Sequence, residues 1–496
     1  MFADRLNPKI SVSVVFVLAM FMAIMDTTIV NVALPTLAHQ FRVPLSSVDG
    51  VVVGFLVSLA VFIPASGWLG DRFGTKRVLL TALTIFTVAS ALCGAADSFG
   101  ELVIFRILQG VGGGMLTPVG MAMLYRTFPP AERVRASSIL TVPTAFAPAL
   151  GPVLGGLLVT DATWRLVFYV NVPIGIVGFV FGCLFLPEQR QDVPGRFDGF
   201  GFLCAGAGFA ALMYALSEAP SLGWGDPLIL ALAAAGVVVL TALVTVELRV
   251  RQPMLDLRLL GNGLFRSTTI LTVLATMAFL GCLYLVALFF QDGLGLSALN
   301  AGLSTFPEAI GVMIGAQVST RVYPYVGPRR MLAVGLVGVA AATALMSLVG
   351  AGTSLWWMRL LMFGLGLSMA QVFVPAQAAA FATISPAATG RASTLYNAGR
   401  QLGSAVGVAV LTTVAAAVGL VHRVGAHPAP NLAAYHAALL TACGIALVAA
   451  ATAIFVDDRA AAPTMRRPAR VRPAEETVAA GAVAEPAGVL SPAGVE

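Results

Sequence analysis

Three ionisable residues interrupt apolar stretches of the sequence, where a charge needs a chemical reason. Asp26 lies in "AIMDTTIVNVALP" (23–35), Arg106 in "ELVIFRILQGVGGGM" (101–115), and Glu308 in a stretch that begins near residue 300. If each stretch is a membrane helix, a rise of about 1.5 Å per residue puts all three roughly 10 to 12 Å below the same membrane surface. Charged groups at that depth are costly, and they usually face a cavity or one another.

Two interpretations fit these residues. A carboxylate in a medium of low dielectric constant tends towards its protonated form and can exchange protons, whereas a nearby guanidinium favours the ionised form. Asp26 is therefore a candidate for proton or substrate coupling, together with Arg106 and Glu308. The alternative for Asp26 is a static ion pair with Arg106 that serves assembly. For Glu308 the sequence leaves the functional and structural interpretations open.

The elements that hold these residues are predicted membrane spans. The chain has 496 residues, of which 58% are hydrophobic and 10% are charged, whereas soluble proteins have roughly 25% charged residues. Runs of about 20 apolar residues predict fourteen spans. They begin near residues 10, 46, 78, 99, 136, 165, 198, 226, 266, 300, 330, 355, 395 and 435. The sequence therefore predicts an all-α polytopic membrane protein.

The basic residues fall mainly in alternate loops, which indicates the orientation. The loop between the second and third spans holds Arg72, Lys76 and Arg77, and the loops on the opposite side hold few basic residues. Positively charged loops stay in the cytoplasm, and the number of spans is even. We therefore expect a multi-pass protein of the cytoplasmic (inner) membrane with both termini cytoplasmic. The net charge of +6 is a topology signal, and nucleic acid is not an expected partner.

Other regions carry no expected chemistry. Residues 457–496 are rich in Pro, Ala, Glu and Arg, and their low content of bulky apolar residues predicts a disordered cytoplasmic tail. The five cysteines lie within predicted spans and are expected to act as apolar filler. The histidines between residues 422 and 436 show no metal-ligand spacing, so no metal site is expected.

Internal similarity divides the chain into halves. The segment "PPAERVRASSILTVPTAFAPALGPVLGG" (129–156) resembles "SPAATGRASTLYNAGRQLGSAVGVAV" (385–410), and "DRFGTKR" (71–77) weakly resembles "PYVGPRR" (324–330). Repeats of this kind are typical of transporters. They predict one six-span bundle in 1–190 and another in 266–456, with two inserted spans and their linkers in 191–265.

Several motifs together resemble those of one family. The segments "MDTTIVNVALP" (25–35), "GWLGDRFGTKR" (67–77) and "ALGPVLGG" (149–156), with Arg106 and Gly110, resemble motifs of the 14-span drug:proton antiporters of the major facilitator superfamily. The segment "NAGRQLGSAVGVAVL" (397–411) is a further match. The resemblance covers nearly the whole chain except the tail. It implies the major facilitator fold, with two six-helix bundles plus two inserted central transmembrane helices.

The resemblance also implies a cytoplasmic gating loop. Its residues are Gly67, Gly70, Asp71, Arg72, Gly74, Lys76 and Arg77. The glycines allow a tight turn and close helix approach, and Asp71 is expected to face the positive N-terminal end of a helix in the other half. A positive loop with turn glycines is the alternative, but it leaves Asp71 without a role.

The span-5 motif is an expected hinge. It contains Gly151, Pro152, Gly155 and Gly156, whose small residues allow backbone contact between helices and whose proline allows a bend. Ordinary small-residue packing is the alternative, and the resemblance favours the hinge. Asn31 and Asn397 are candidate residues of the substrate cavity, and Arg400 and Gln401 belong to the motif of the second half.

These observations predict a transporter, not an enzyme. Lysine occurs at positions 9 and 76 alone, so the chain lacks a phosphate-binding G-x-x-x-x-G-K-[ST] loop. A proton gradient is the expected energy source, without a cofactor. The expected function is proton-coupled export of amphiphilic, cationic drugs or toxic compounds by alternating access.

Two alternatives remain open. One is export of one specific endogenous metabolite, antibiotic or lipid, and the remote one is a non-transporting membrane sensor. The expected partners are small amphiphilic substrates, protons and membrane lipids. The protein is expected to act as a monomer.

Overall fold

Long helices make up the architecture, seen here in a computed structural model that describes residues 6–44, 48, 50–190, 197–250, 253–350, 352–424 and 427–465. In that part of the chain, fourteen long helical elements follow one another. They are α1 (Pro8–Phe41), α2 (Gly50–Phe73), α3 (Thr75–Ala95), α4 (Phe99–Thr127), α5 (Arg133–Asp161), α6 (Leu166–Tyr169 and Asn171–Phe185), α7 (Gly199–Leu222), α8 (Pro227–Glu247), α9 (Gly263–Leu288), α10 (Ala298–Val326), α11 (Pro328–Met346), α12 (Leu355–Ala380), α13 (Thr389–Val418) and α14 (Leu432–Thr452). The predicted all-α fold class is confirmed.

Twelve of these elements are long and apolar enough to cross a membrane, so the protein is an integral membrane protein. The other two, α5 and α10, have 29 residues each; α5 contains an apolar stretch at Phe146–Val159, and α10 carries Glu308 and Arg321. They pack against each other where the two halves of the chain meet. The count of fourteen spans stays a prediction.

The same tight turn occurs at equivalent positions in both halves. Gly74 between α2 and α3 has φ 95°, and Gly327 between α10 and α11 has φ 80°. Both values lie in the left-handed region, which glycine adopts without a steric penalty. The weak similarity between 71–77 and 324–330 therefore marks a structural repeat.

A carboxylate stands beside each of these turns. Glu188, which follows α6, accepts a hydrogen bond from the backbone N–H of Lys76 at 3.0 Å. Asp458, which follows α14, accepts one from the backbone N–H of Arg329 at 2.9 Å. Each carboxylate supplies an acceptor to the first turn of a helix, whose N–H groups lack partners within the helix.

The helices pack as two bundles with a pair of helices beside them. An apolar core joins α9 and α11–α14, and a second is built mainly from α1–α4. The bundles meet where α5 packs on α10 and α12, and where α2 and α4 pack on α13. The inserted helices α7 and α8 pack together, and α7 contacts both α2 and α13. The inserted pair therefore lies across one seam between the bundles. The predicted residue boundaries of the three regions stay a prediction.

The start of the predicted tail is ordered. Residues Ala462–Met465 form a short helix, α15, and the hydroxyl of Thr464 lies 2.8 Å from that of Tyr323 on α10. The prediction of disorder is therefore wrong for residues 457–465, because their small apolar side chains pack at the end of the second bundle. Residues 466–496 lie outside the described part of the chain.

A short β-hairpin joins α13 to α14, which the sequence did not indicate. Strand β1 (Val421–Val424) pairs antiparallel with β2 (His427–Pro430), and Val421 stands opposite Pro430. The hairpin lies at the end of the molecule opposite to the turns at Gly74 and Gly327, because α13 and α14 each traverse the bundle once.

Candidate functional site

A cavity of about 670 Å³ lies between the two bundles. Helices α1, α2, α4 and α5 line it from one bundle, and α9, α10, α12 and α13 line it from the other. It extends from Thr117 and Asn397 to Pro35, near the end of α1, and to Gln291, in the turn that follows α9. Pockets for drug-sized ligands have volumes of roughly 300 to 1,000 Å³, so this cavity suits such a ligand.

The cavity wall is largely apolar but carries charge. Met20, Ile24, Phe279 and Phe373 are among its apolar side chains. Among the described residues on the wall, two are charged, namely Glu308 on α10 and Arg400 on α13. Asn31, Asn397 and Gln401 also line it. The sequence-predicted cavity residues therefore do lie at one cavity, while their roles stay a prediction.

Glu308 is a carboxylate without a protein counter-charge in the described part of the chain. Its residue is 4% exposed, and none of the ion pairs among described residues involves it. The backbone of α10 at Glu308 packs closely against α12, since a Cβ built on Gly366 of α12 would meet Glu308 O. A buried carboxylate in an apolar cavity wall is a candidate for proton exchange, and this role of Glu308 stays a prediction.

Asp26 and Arg106 form a separate, fully connected network inside the first bundle. Arg106 Nη1 lies 2.5 Å from Asp26 Oδ2, and both side chains are at most 1% exposed. The amides of Gln109 and Asn171 each donate to Asp26 Oδ1 at 2.9 Å. Arg106 Nε donates to the carbonyl of Val51 at 3.1 Å. Both carboxylate oxygens of Asp26, and Nε and Nη1 of Arg106, thus bond to protein groups.

This network does not reach the cavity wall. Asp26 and Arg106 are not among the described residues that line the cavity, whereas Glu308 is. The structure brings Asp26 and Arg106 together and places Glu308 apart from them on the cavity wall, because depth along a helix does not determine the direction in which a side chain points; the coupling role of the three residues stays a prediction. The geometry favours the static ion pair for Asp26.

The span-5 motif packs against the helix that carries Asp26. A Cβ built on Gly155 of α5 would lie 3.0 Å from Ile29 O on α1, and one built on Gly151 would overlap Thr28. A Cβ on Gly156 would meet open space. Gly151 and Gly155 therefore allow α5 and α1 to touch, as the small-residue pattern predicts. Pro152 lies on the same helix, and the hinge role of the motif stays a prediction.

Asp71 lies at a contact between the bundles, at the end of the molecule that holds the turns at Gly74 and Gly327. Its Oδ1 lies 2.6 Å from Arg126 Nη2, and Arg126 Nε donates to the carbonyl of Pro386 in the second bundle at 3.2 Å. A Cβ on Gly390, in the first turn of α13, would be 2.9 Å from Asp71 Oδ1. Asp71 therefore faces the N-terminal turn of a helix of the other bundle, where the helix dipole favours a negative charge.

Further contacts close this end of the cavity. Ser393 Oγ donates to Pro118 O at 2.7 Å, and Arg133 donates to the carbonyl of Phe381. The rings of Tyr125 and Phe381 stack with centroids 4.5 Å apart. We call this set of contacts between α2, α4 or α5 and residues 381–394 the latch, and the end of the molecule at which it lies the latch end.

The glycines and bases of the 67–77 loop have different surroundings. A Cβ on Gly67 would lie 2.5 Å from Thr394 Oγ1 across the seam, whereas one on Gly70 would make ordinary contacts of 3.6 Å or more. Lys76 Nζ donates to Cys183 O at 2.9 Å. Arg77 lies 3.8 Å from Glu188, and Arg72 is exposed. Gly67 and Asp71 thus cross the seam, while Lys76 and Arg77 bind within the first bundle.

Sequence reasoning missed several members of these networks. Gln109 lies three residues after Arg106, a spacing that places both side chains on one helix face, so it was detectable. Asn171 and Arg126 come from distant parts of the chain and needed the fold. Among the described residues, no group of three or more His, Cys, Asp or Glu side chains is placed to hold a metal ion.

Comparisons with known proteins agree with this architecture. The sequence profile of the Major Facilitator Superfamily matches residues 16–408. The chain is 31% identical over 405 residues to "Multidrug resistance protein B homolog" of Mycobacterium tuberculosis. The aligned region covers 81% of this chain and 75% of that protein. The chain is also 33% identical over 396 residues to "Tetracenomycin C resistance and export protein" of Streptomyces glaucescens. That aligned region covers 79% of this chain and 73% of that protein.

A solved structure shares the fold. The crystal structure of the human organic anion transporter MFSD10 (TETRAN) superposes with a TM-score of 0.65 at 17% identity, covering 90% of this chain and 100% of that one.

Proposed function

The chain belongs to the Major Facilitator Superfamily of membrane transporters and has multidrug-resistance proteins among its relatives, and we propose that it is a proton-coupled antiporter exporting amphiphilic compounds. The observation that carries this proposal is Glu308, a carboxylate on the wall of a drug-sized cavity between two bundles that has no ion-pair partner among the described residues. Export is proposed because relatives are named for resistance and export.

The position of Glu308 supports the proposal of proton coupling. When ionised, its carboxylate attracts a cationic group of a substrate, and when protonated it does not. Proton and substrate therefore compete for one site, and uptake of a proton releases the substrate. Asp26 is a weaker candidate for this role, because Arg106, Gln109 and Asn171 already occupy its carboxylate oxygens and the cavity does not reach it.

Alternating access follows from the latch. The bundles are in contact at the latch end, and the cavity extends away from it to Pro35 and Gln291. We place the latch end at the cytoplasmic face, because the loops there carry Lys76, Arg77 and Arg330, and positive loops stay in the cytoplasm. The structure is then outward-open, with both termini in the cytoplasm. Opening of the latch and closure of the other end would expose the cavity to the cytoplasm.

Transport into inverted membrane vesicles tests this function. Vesicles with an acidic interior should accumulate tetraphenylphosphonium, a lipophilic cation, and an uncoupler that collapses the pH gradient should abolish the accumulation. Vesicles without the protein provide the control. Accumulation that persists after the gradient is collapsed would contradict proton antiport.

A second candidate is export of a single compound. One relative is named for resistance to and export of tetracenomycin C, which is one antibiotic. The narrower function predicts that most unrelated amphiphiles are not transported in the same vesicles. A panel of dyes and antibiotics of different shape separates the two candidates.

A further inference from the structure

The cavity wall carries a positive charge that the proposed mechanism does not use. Arg400 lines the cavity from α13 and is partly exposed to it. None of the ion pairs among the described residues involves Arg400, and its guanidinium has no hydrogen bond to a protein group in the described part of the chain. Arg106 differs, since its Nε and Nη1 bond to Val51, Asp26 and Gln109.

Arg400 is part of a polar strip on one face of α13. Asn397, Arg400, Gln401 and Ser404 all line the cavity. Their spacing of three, four and seven residues places them on the same side of a helix. Beside the strip, the backbone of α13 packs closely against α9, since a Cβ on Gly403 would lie 2.7 Å from Val273 O on α9. The strip therefore presents a cation and three hydrogen-bonding groups to the cavity from a rigid helix.

Glu308 and Arg400 lie on different helices and do not neutralise each other. Glu308 is on α10, and the apolar side chains of Phe279, Leu283 and Phe373 contribute to the wall of the same cavity. A guanidinium and a carboxylate left apart in an apolar wall are each costly. The cost is removed when a ligand supplies both counter-charges.

From this arrangement we infer that the preferred substrate is a zwitterionic amphiphile. Its acidic group, a carboxylate or another ionised oxygen acid, binds Arg400. Its basic amine binds Glu308, and an apolar ring system fills the space between. The guanidinium donates two parallel N–H hydrogen bonds to the oxygens of such a group, a bidentate geometry that a lysine ammonium cannot reproduce. This inference rests on the proposed export function and specifies its substrate class.

The two charges then have different tasks. Protonation of Glu308 removes the counter-charge of the amine and releases that end of the substrate. Arg400 binds the acidic end while Glu308 is ionised, and loss of the amine contact on protonation weakens the binding of the whole substrate enough for its release. Arg400 therefore selects the substrate, whereas Glu308 couples it to the proton.

Matched probes test the inference. Norfloxacin carries a carboxylate and a piperazine amine on a flat ring system, and its ethyl ester lacks the carboxylate. Tetraphenylphosphonium is a cation without an acidic group. Uptake of all three into inverted vesicles with an acidic interior is measured for the native chain, for Arg400→Gln and for Arg400→Lys. Arg359→Gln is the control, because Arg359 lies over the ring of Trp356 near the start of α12 and does not line the cavity.

We expect the native chain to take up norfloxacin roughly tenfold better than its ester, the gain of about one charge-assisted hydrogen bond. Arg400→Gln should lower norfloxacin uptake several-fold more than tetraphenylphosphonium uptake and so remove this preference, and Arg400→Lys should restore part of the preference. Arg359→Gln should retain it. Norfloxacin binding to the purified variants shows the same ratio without transport.

The outcomes distinguish this inference from the proposed function. Equal losses for norfloxacin and tetraphenylphosphonium in Arg400→Gln, or no preference for norfloxacin over its ester in the native chain, overturn the inference and leave proton-coupled export intact. Norfloxacin preference without dependence on the pH gradient overturns proton coupling and leaves the inference intact. If the native chain takes up none of the probes and binds none of them, both fail.

Discussion

Asp71 on α2 and Arg126 on α4 form an ion pair of 2.6 Å, and the same guanidinium donates to Pro386 O in the other bundle. The pair belongs to the first bundle, yet it fixes a contact with the second. Its side chains are 12% and 9% exposed, so water screens the interaction little. Breaking this pair should therefore weaken the latch without removing a part of either core.

Asp71→Asn should lower transport several-fold while membrane abundance stays close to that of the native chain. The substitution removes the charge and costs about 1.5 to 3 kcal/mol at the latch, as for hydrogen bonds to charged groups. Vesicle transport of tetraphenylphosphonium and quantification of the protein in membranes provide the two measurements.

Asp97→Asn is the matched control for Asp71→Asn. Asp97 pairs with Arg165 at 3.2 Å, at the end of the molecule opposite to the latch, and its side chain is 88% exposed. Exposed pairs of this kind contribute about 1 kcal/mol or less, so transport should be unchanged. Normal turnover in Asp71→Asn would remove the latch interpretation.

Gly67→Ala should open the latch, and Gly70→Ala should not. A Cβ on Gly67 would lie 2.5 Å from Thr394 Oγ1 and 3.0 Å from Gly390 O in the other bundle, whereas the nearest atom to a Cβ on Gly70 is 3.6 Å away. The methyl group of Gly67→Ala therefore forces the bundles apart, whereas that of Gly70→Ala fits without a clash.

The opening can be measured by labelling. A single cysteine at Thr117, which lines the cavity, is introduced into a chain whose five native cysteines are replaced by alanine. A membrane-impermeant maleimide added to inverted vesicles should label it several-fold faster in Gly67→Ala than in Gly70→Ala. Equal labelling rates would show that the close approach at Gly67 does not hold the latch shut.

Sequence patterns predicted the helices and placed Asp26 and Arg106 at one depth, because depth in a membrane follows from the rise per residue; an ion pair between them was the alternative to a coupling role. The side of a helix on which a residue lies does not follow from its depth, so the sequence did not show that Glu308 lines the cavity and that the pair does not. It also placed Asp71 at a gate but missed Arg126, which is distant in sequence and reaches Asp71 through the packing of α4 on α2. The equivalent positions of Glu188 and Asp458 become visible only when the turns at Gly74 and Gly327 are compared in the structure.

Glu308→Gln should abolish transport that depends on the pH gradient and retain substrate binding in part. The amide keeps the size and polarity of the side chain but does not titrate. In the native chain the dissociation constant for tetraphenylphosphonium should rise as the pH falls, because protonation removes the anionic partner. The rise reaches about tenfold per pH unit once the protonated form dominates.

The pH profile separates coupling from packing. In Glu308→Gln the dissociation constant should not depend on pH, and Glu308→Asp, which restores the carboxylate, should recover the dependence. Binding titrations on purified protein between pH 5 and pH 9 provide the measurement. A pH dependence that survives in Glu308→Gln would assign the titrating group to another residue.

Asp26→Asn should destabilise the protein, because it leaves the Arg106 guanidinium buried without its carboxylate. Removing one partner of a buried ion pair costs about 3 to 5 kcal/mol, and both side chains here are at most 1% exposed. The thermal midpoint of the purified variant should fall accordingly. If Asp26 instead carries the transported proton, the variant should keep its stability and lose gradient-driven transport.

The double variant Asp26→Asn with Arg106→Gln decides between these roles, since it removes both buried charges and leaves amides that bond to Gln109 and Asn171. A structural pair predicts that the double variant regains stability relative to Asp26→Asn and regains proton-driven transport, because Glu308 remains in the cavity. A coupling role predicts that transport stays lost even when the thermal midpoint recovers. Transport and the thermal midpoint are measured on the same preparations, with Glu308→Gln as the reference variant that is expected to fold without transporting. Recovery of both quantities assigns the proton to Glu308, whereas recovery of the thermal midpoint alone assigns it to Asp26.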